Sequence, residues 1–380
     1  MTELSINIAS ENLDSNAPKL NTTFVQVCNF IGEADNPLLA PRGVFFDKNV
    51  LTVSDTGQNR VFIWNNFEYN KTQKATVVLG QLENTNTERN AGNTVSASSL
   101  QYPSGLWTNG KILIVADAWN HRVLIWKNIP TTNGQAADVV IGQKDFESNQ
   151  PNIAGIGKSP TAQTLYWPYG VWCNGKSLWI ADTGNRRVLF FENIPTENYA
   201  AADKVIGQQA MNEKDYDGNN AVWPYSVKIN TEGNLAIADT QYYRVLLWKN
   251  YKDAFKKNAD TIIGQPTLQS NGQNQFHLKP KSNTLNWCYD CCFYKNSIAV
   301  ADTGNSRILL WNEMPTDNNE HANTLIGQSN FSVNGESSLS FSTTVENEMY
   351  WPFAINSFED NIIVADTGNH RILFYKPVAL

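Results

Sequence analysis

Apolar residues come along this chain in short runs of four to six, separated by polar, turn-forming breaks, and the order of runs and breaks recurs. One stretch shows the pattern: GVWC (170–173), SLWIAD (177–182), RVLFFE (187–192) and DKVIGQ (203–208), parted by Asn-Gly, Thr-Gly-Asn and Asn-Ile-Pro breaks. Alternating apolar positions, β-branched and aromatic enrichment and turn residues at the joints predict four short strands. A helix would require a 3.6-residue period sustained over ten or more residues, and no segment provides one.

The third run lies in a phrase that occurs six times. SDTGQNRVFIW begins at Ser54, followed by ADAWNHRVLIW at Ala116, ADTGNRRVLFF at Ala181, ADTQYYRVLLW at Ala238, ADTGNSRILLW at Ala301 and ADTGNHRILFY at Ala365. Its aspartates, at 55, 117, 182, 239, 302 and 366, are spaced by 62, 65, 57, 63 and 64 residues. A repeat of this period with four antiparallel strands is a propeller blade, so the expected fold is an all-β, six-bladed β-propeller. The expected organisation is one domain over 1–380, with blades at 37–81, 101–143, 166–208, 222–265, 286–328 and 350–376. A Gly-Gln closes the fourth strand at Gly80, Gly142, Gly207, Gly264 and Gly327, only five times. The sixth copy is expected at the amino end, where FVQVCNFIGE (24–33) has the matching pattern. That segment should complete the last blade as a clasp and cover an edge that would otherwise be bare.

Composition narrows the function. Hydrophobic residues make up 41% of the 380 and charged residues 17%, with a net charge of −7. The first figure supplies a core and excludes intrinsic disorder. The acidic balance makes nucleic acid a poor expected partner, because gripping a phosphate backbone needs a basic face. No apolar run approaches the ~20 residues that span a bilayer, and the first residues lack a basic and apolar leader. No membrane association and a cytoplasmic location are the expectation. Five cysteines, an odd number, suit free thiols; Cys173, Cys288, Cys291 and Cys292 fall in segments read as strands.

The phrase A-D-T-G-N-x-R-(I/V)-L, with Asn-His-Arg at 120–122 and 369–371, resembles the NHL repeat over about residues 24 to 376. The units are longer than ordinary NHL repeats, with 14 to 23 mostly polar residues between each Gly-Gln and the Trp or Tyr that opens the next unit. The family includes protein scaffolds, RNA binders, sensor domains and lyases, so the resemblance implies a fold and leaves function to particular sites. Within each phrase, Asp and Arg five residues apart (Asp182 with Arg187, for example) are expected to pair across a hairpin. Thr183 and Asn185 should bond the turn backbone, and Gly57, Gly184, Gly304 and Gly368 should supply a positive φ.

Function is sought where copies diverge. The inserts at 82–100, 144–164, 209–220, 266–286 and 329–349 should crowd one face of the ring, over the channel entrance, either binding a partner or capping the ring. The residue after the repeated proline should project at the channel mouth: Arg42, Ser104, Tyr169, Tyr225, Tyr289 and Phe353. Such a ring can stack a ligand or plug the channel. It contains no histidine, so the zinc site of the similar peptidylglycine alpha-amidating lyase does not carry over. Trp119 and Tyr242 replace the usual turn residues and either meet a partner or pack under inserts.

Blade five has WCYDCCF (287–293), with Cys288 in place of proline and Asp290 in place of glycine. Cys288, Cys291 and Cys292 are weak metal candidates, since one CxxC is half of a zinc site and a strand splits its thiols between two faces. Asp290 is expected to be an unpaired carboxylate facing Arg42. Asp215 to Asn219 resembles the start of a calcium loop with a misplaced glycine.

The leading expectation is a binding or scaffold propeller for a protein, peptide or small polar ligand at the insert-bearing face. The alternative is a lyase- or hydrolase-type enzyme using Asp290, Tyr289, Tyr169, Tyr225 and Arg42; RNA binding ranks third. No cofactor is expected, with a divalent metal in the channel reserved for the enzyme reading.

Overall fold

The computed structural model describes residues 24–28 (backbone only), 38–68, 73–83, 85–334 and 348–377. These form six four-stranded antiparallel sheets arranged as the blades of a propeller. Blade three is representative, with strands Pro168–Cys173, Leu178–Asp182, Arg187–Phe191 and Lys204–Ile206 from channel to rim. The strands are buried on both faces because each sheet is sandwiched between its neighbours. Leu178, Trp179 and Ile180 are all fully buried, which explains near-continuous apolar runs where a half-exposed sheet would alternate.

Blade six joins the chain ends. Phe24–Cys28 pairs antiparallel with Arg371–Pro377, from Phe24 opposite Pro377 to Gln26 opposite Tyr375 and, after a one-residue register shift, Cys28 opposite Phe374. Clasp positions 29–33 lie outside the described residues, as do 335–347 of the last insert. Among the described residues no helix is long and apolar enough to cross a membrane.

The recurring phrase holds each blade to its inserts and to the next blade. In all six copies the arginine Nε donates to the aspartate Oδ2 at 2.7–2.9 Å, both groups essentially buried. The aspartate Oδ1 accepts the backbone N–H of the residue 16 positions earlier, such as Tyr166 for Asp182 at 2.7 Å. The arginine's remaining donors reach insert carbonyls on both sides: Arg187 bonds Thr161, Thr164 and Met211. The inserts are thereby fixed as caps on the ring.

Three expected roles are corrected. Thr183 does not bond its own turn alone; its hydroxyl donates to Pro224 O of blade four at 2.6 Å. Thr367 does the same to Pro41 at 2.5 Å and closes the ring from blade six to blade one. Asn185 bonds the Asp182 carboxylate and the insert residue Asn152. Gly57, Gly184, Gly304 and Gly368 do not have positive φ. They are glycine because a Cβ at Gly184 would lie 2.6 Å from Tyr166.

The left-handed position falls two residues after that glycine, at Asn59, His121, Arg186, Tyr243, Ser306 and His370, with φ between 51° and 56°. Four of these side chains accept an N–H from the following blade. Asn59 Oδ1 takes Tyr102 N at 3.0 Å, His121 Nδ1 takes Trp167 N at 3.2 Å, Ser306 Oγ takes Trp351 N and His370 Nδ1 takes Ala40 N. His121 must be neutral at Nδ1 to accept, and burial lowers its pKa to about 4. A histidine depressed in the folded state contributes its full share of stability above its ordinary pKa near 6.5 and loses it as pH falls toward 4. The shift corresponds to roughly 3 kcal/mol. His121→Asn installs the residue blade one already uses, so urea unfolding near neutral pH should barely change while acid lability shrinks. Equal acid sensitivity in both proteins would place the lability elsewhere.

Candidate functional site

The inner strands stack three layers of side chains down the channel. At the insert-bearing end, the residues after the repeated proline come together as the sequence predicts. Tyr169 stacks on Tyr225 (centroids 4.6 Å apart), Tyr225 meets Tyr289 edge-on at 4.6 Å, and Tyr289 stacks on Phe353 at 4.2 Å. Arg42 lies 4.0 Å over the Phe353 ring and 5.2 Å from the Tyr102 ring. Its neighbourhood extends across the channel to the Tyr225 hydroxyl. Ser104 is fully buried. Burial raises the pKa of the phenols of Tyr102, Tyr169, Tyr225 and Tyr289, so they remain neutral hydroxyls.

The middle layer is small: Gly43, Gly105, Gly170, Ser226 and Ala354, with Asp290 the exception. Here the inner strands of adjacent blades nearly touch. A Cβ at Gly43 would meet Ser104 O at 2.1 Å and one at Gly170 would meet Tyr225 O at 2.5 Å. Below it, Phe45 contacts Trp107 and Trp172 with centroids 6.3 and 5.7 Å apart, and Lys228 lies 5.4 Å over Trp172. The space enclosed admits about one water-sized molecule. The aromatic layer therefore plugs the channel, and a ligand larger than water must sit at its mouth.

Asp290 is not the unpaired carboxylate expected from the sequence. Its Oδ1 lies 3.1 Å from Lys228 Nζ and accepts Cys291 N at 2.9 Å, while Oδ2 accepts Ile355 N of blade six at 3.0 Å. An inner strand has an unpaired edge toward the channel, and Asp290 satisfies one of its amides. Asn356 does the same for Phe46 N at 3.0 Å. Committed in this way, Asp290 has little capacity left as a general base.

Cys291 and Cys292 are in the strand Asp290–Tyr294, whereas Cys288 precedes it, correcting its expected place. All three thiols are buried. Burial pushes Cys291 up to about 12 and raises the other two as well, which disfavours the thiolate a metal would need. Among the described residues no group of three His, Cys, Asp or Glu side chains converges to hold an ion. The Asp215–Asn219 segment forms a local turn in which Asp217 accepts from Asn219 N and Nδ2.

Trp119, at the glycine position of its turn, and Tyr242, at the asparagine position of its own, part ways. Tyr242 is buried beneath its insert, with its hydroxyl 2.9 Å from that of Tyr216. Trp119 stays 36% exposed and stacks on Tyr102 with centroids 4.5 Å apart and planes 10° from parallel.

Sequence reasoning missed the rim that Trp119 belongs to. The residue before the repeated proline is Tyr102, Trp167, Trp223, Trp287 or Trp351 in five blades and Ala40 in the first. Trp287 and Trp351 are 41% and 43% exposed. All but Trp223 hold a left-handed backbone, with φ of 49–54°, a strained conformation for residues with a Cβ. Blade four escapes because it is one residue shorter here: Thr240 N bonds Trp223 O, whereas Gly184 N bonds Tyr166 O, one residue before the corresponding tryptophan. The available signal was the recurring tryptophan itself, absent from the strand pattern and adjacent to the mouth.

No family model matches the chain, and no curated protein matches it. Among solved structures it is similar to the crystal structure of the computationally designed Ika8 protein, with a TM-score of 0.42 at 9% identity, covering 92% of this chain and 99% of that one.

Proposed function

We propose that this chain is a binding propeller that presents the aromatic rim around its plugged channel to a protein, peptide or small polar ligand. The observation that carries the reading is the rim: Tyr102, Trp167, Trp287 and Trp351 sit in strained left-handed backbone, Trp287 and Trp351 half-exposed, with Tyr102, Trp167 and Trp351 held by bonds from the preceding blade. Strain retained by the surrounding structure concentrates at functional positions, and aromatic anchors dominate binding energies. The A-D-T-G-N-x-R phrases support assigning the blades to the NHL type. Buried free thiols favour a reducing compartment and hence the cytoplasm. Binding is favoured over turnover because the channel's candidate acid is tied to Lys228 and to two backbone amides.

Trp287→Ala/Trp351→Ala tests the rim. Both side chains are exposed, so the change in folding stability should stay within about 0.5 kcal/mol each. Loss of a tryptophan anchor typically costs about 2 kcal/mol or more in binding, roughly thirtyfold in affinity. Affinity capture from cell extract with the two proteins as bait, read by mass spectrometry, should yield species retained by the parent and lost from the variant. Identical sets on both baits would move the binding surface off the rim.

A further inference from the structure

Arg42 is the one residue of the upper layer with a formal charge, and its charge is unanswered. It lies mostly buried between Phe353 and Tyr102 and forms no ion pair among the described residues. All six arginines of the repeated phrase, by contrast, carry a carboxylate at 2.7–2.9 Å. Asp290, the carboxylate that lines the same channel, is taken by Lys228. A buried cation without a counter-ion is costly, and aromatic faces return only part of that cost. Two buried hydroxyls line the channel near it, that of Tyr225 beside the guanidinium and that of Ser226 one layer lower beside Cys291. Both belong to side chains only 5% exposed and make no well-formed hydrogen bond to the protein.

We propose that the channel mouth is a carboxylate site, in which Arg42 receives the carboxylate of a small acid whose ring-shaped body stacks on the rim aromatics. The site combines what such a ligand needs. A guanidinium supplies a planar fork for two parallel bonds to carboxylate oxygens. The Tyr225 hydroxyl beside it adds a donor, and Trp119, stacked on Tyr102, and Trp351 offer exposed flat faces for the body. The narrow channel below admits nothing larger than water, so the acid group enters first and the body stays outside. Two cations and one carboxylate face this channel, which leaves it locally positive in a chain of net charge −7. A phosphate would fit the charge less well, since one unshared guanidinium answers a single negative charge. The proposal rests on the binding reading above and names its ligand class.

Titration of tryptophan fluorescence with glucuronate, glucose, benzoate and benzyl alcohol tests it on the unmodified protein. The expected result is binding of one or both acids at millimolar concentration, at least tenfold tighter than the neutral compound of the same shape. Which acid binds tells whether the body is a sugar or an aromatic ring. Arg42→Gln should lose at least tenfold in affinity for that acid, and Arg42→Lys should recover part of it by keeping the charge without the fork. Equal affinity for acid and neutral partner would overturn the carboxylate site, as would no response to either acid. Neutral binding that Trp287→Ala/Trp351→Ala abolishes would leave the binding reading intact while sinking this one. If capture by the rim fails too, both readings fall.

Discussion

A chain lacking residues 1–28 is expected to fold with a damaged sixth blade and to aggregate. The missing strand is the outer partner of Arg371–Pro377, whose Ile372, Leu373, Phe374 and Tyr375 are buried. Four partner pairs define the ladder, and at about 0.5–1.5 kcal/mol per net hydrogen bond their loss removes a few kcal/mol. Set against a total of about 5–15 kcal/mol for a folded domain, that is a large share. It also uncovers a seven-residue edge strand, the geometry that templates sheet-to-sheet association. Inner closure does not depend on the clasp, because Thr367 bonds Pro41 and Asn356 bonds Phe46 across the same seam. Hydrogen exchange should therefore accelerate in Arg371–Pro377 and leave the strands of blade three protected. A peptide spanning residues 22–33, added in trans, should restore protection by strand addition. A truncated chain that melts with the full one, with unchanged exchange, would mean the clasp carries no stability.

That closure was legible in the sequence because it rests on counting: five Gly-Gln strand ends, six arginine phrases and a matching segment at the amino end. The blades were legible for the same reason, since a period of about 62 residues survives every local substitution. What escaped reading depends on contacts between blades. Gly184 follows Asp-Thr in a tight turn, where a positive φ is the natural expectation, yet its role is to let the Tyr166 chain pass. The true left-handed residue carries Asn, His, Arg, Tyr or Ser, a set that only Asn59 makes suggestive. Asp290 was correctly placed in the channel, but its partner Lys228 lies one blade earlier and one layer lower, a neighbour no linear pattern reveals. The upper ring was read correctly as a ring; the tryptophan rim above it was absorbed into the blade signature, because repetition suggested structure and its exposure had no trace in the spacing.

Repetition argues for structure most strongly at the arginines, and Arg187→Met should be among the most damaging single substitutions in the protein. Asp182 and Arg187 are both fully buried. Burial raises the Asp182 pKa, opposed by the Arg187 guanidinium and by bonds from Tyr166 N and Asn185. Methionine keeps much of the side-chain volume and removes the charge, so the carboxylate is left buried without its partner at a cost of about 3–5 kcal/mol. The exposed pair Lys204–Glu192, 4.0 Å apart with side chains about half exposed, is the internal contrast; Lys204→Ala should cost less than about 1 kcal/mol. The arginine also bonds Thr161, Thr164 and Met211, so its loss releases inserts on both sides of blade three. Limited proteolysis under native conditions should cut first within 144–164 and 209–220, before global unfolding. Arg187→Met/Asp182→Asn removes the stranded charge and should recover part of the stability while leaving the inserts loose. Urea denaturation reads the first effect and the cleavage pattern reads the second. An Arg187→Met protein as stable as its parent, with inserts equally resistant, would refute the assignment of the repeated pair as the lock between blade and cap.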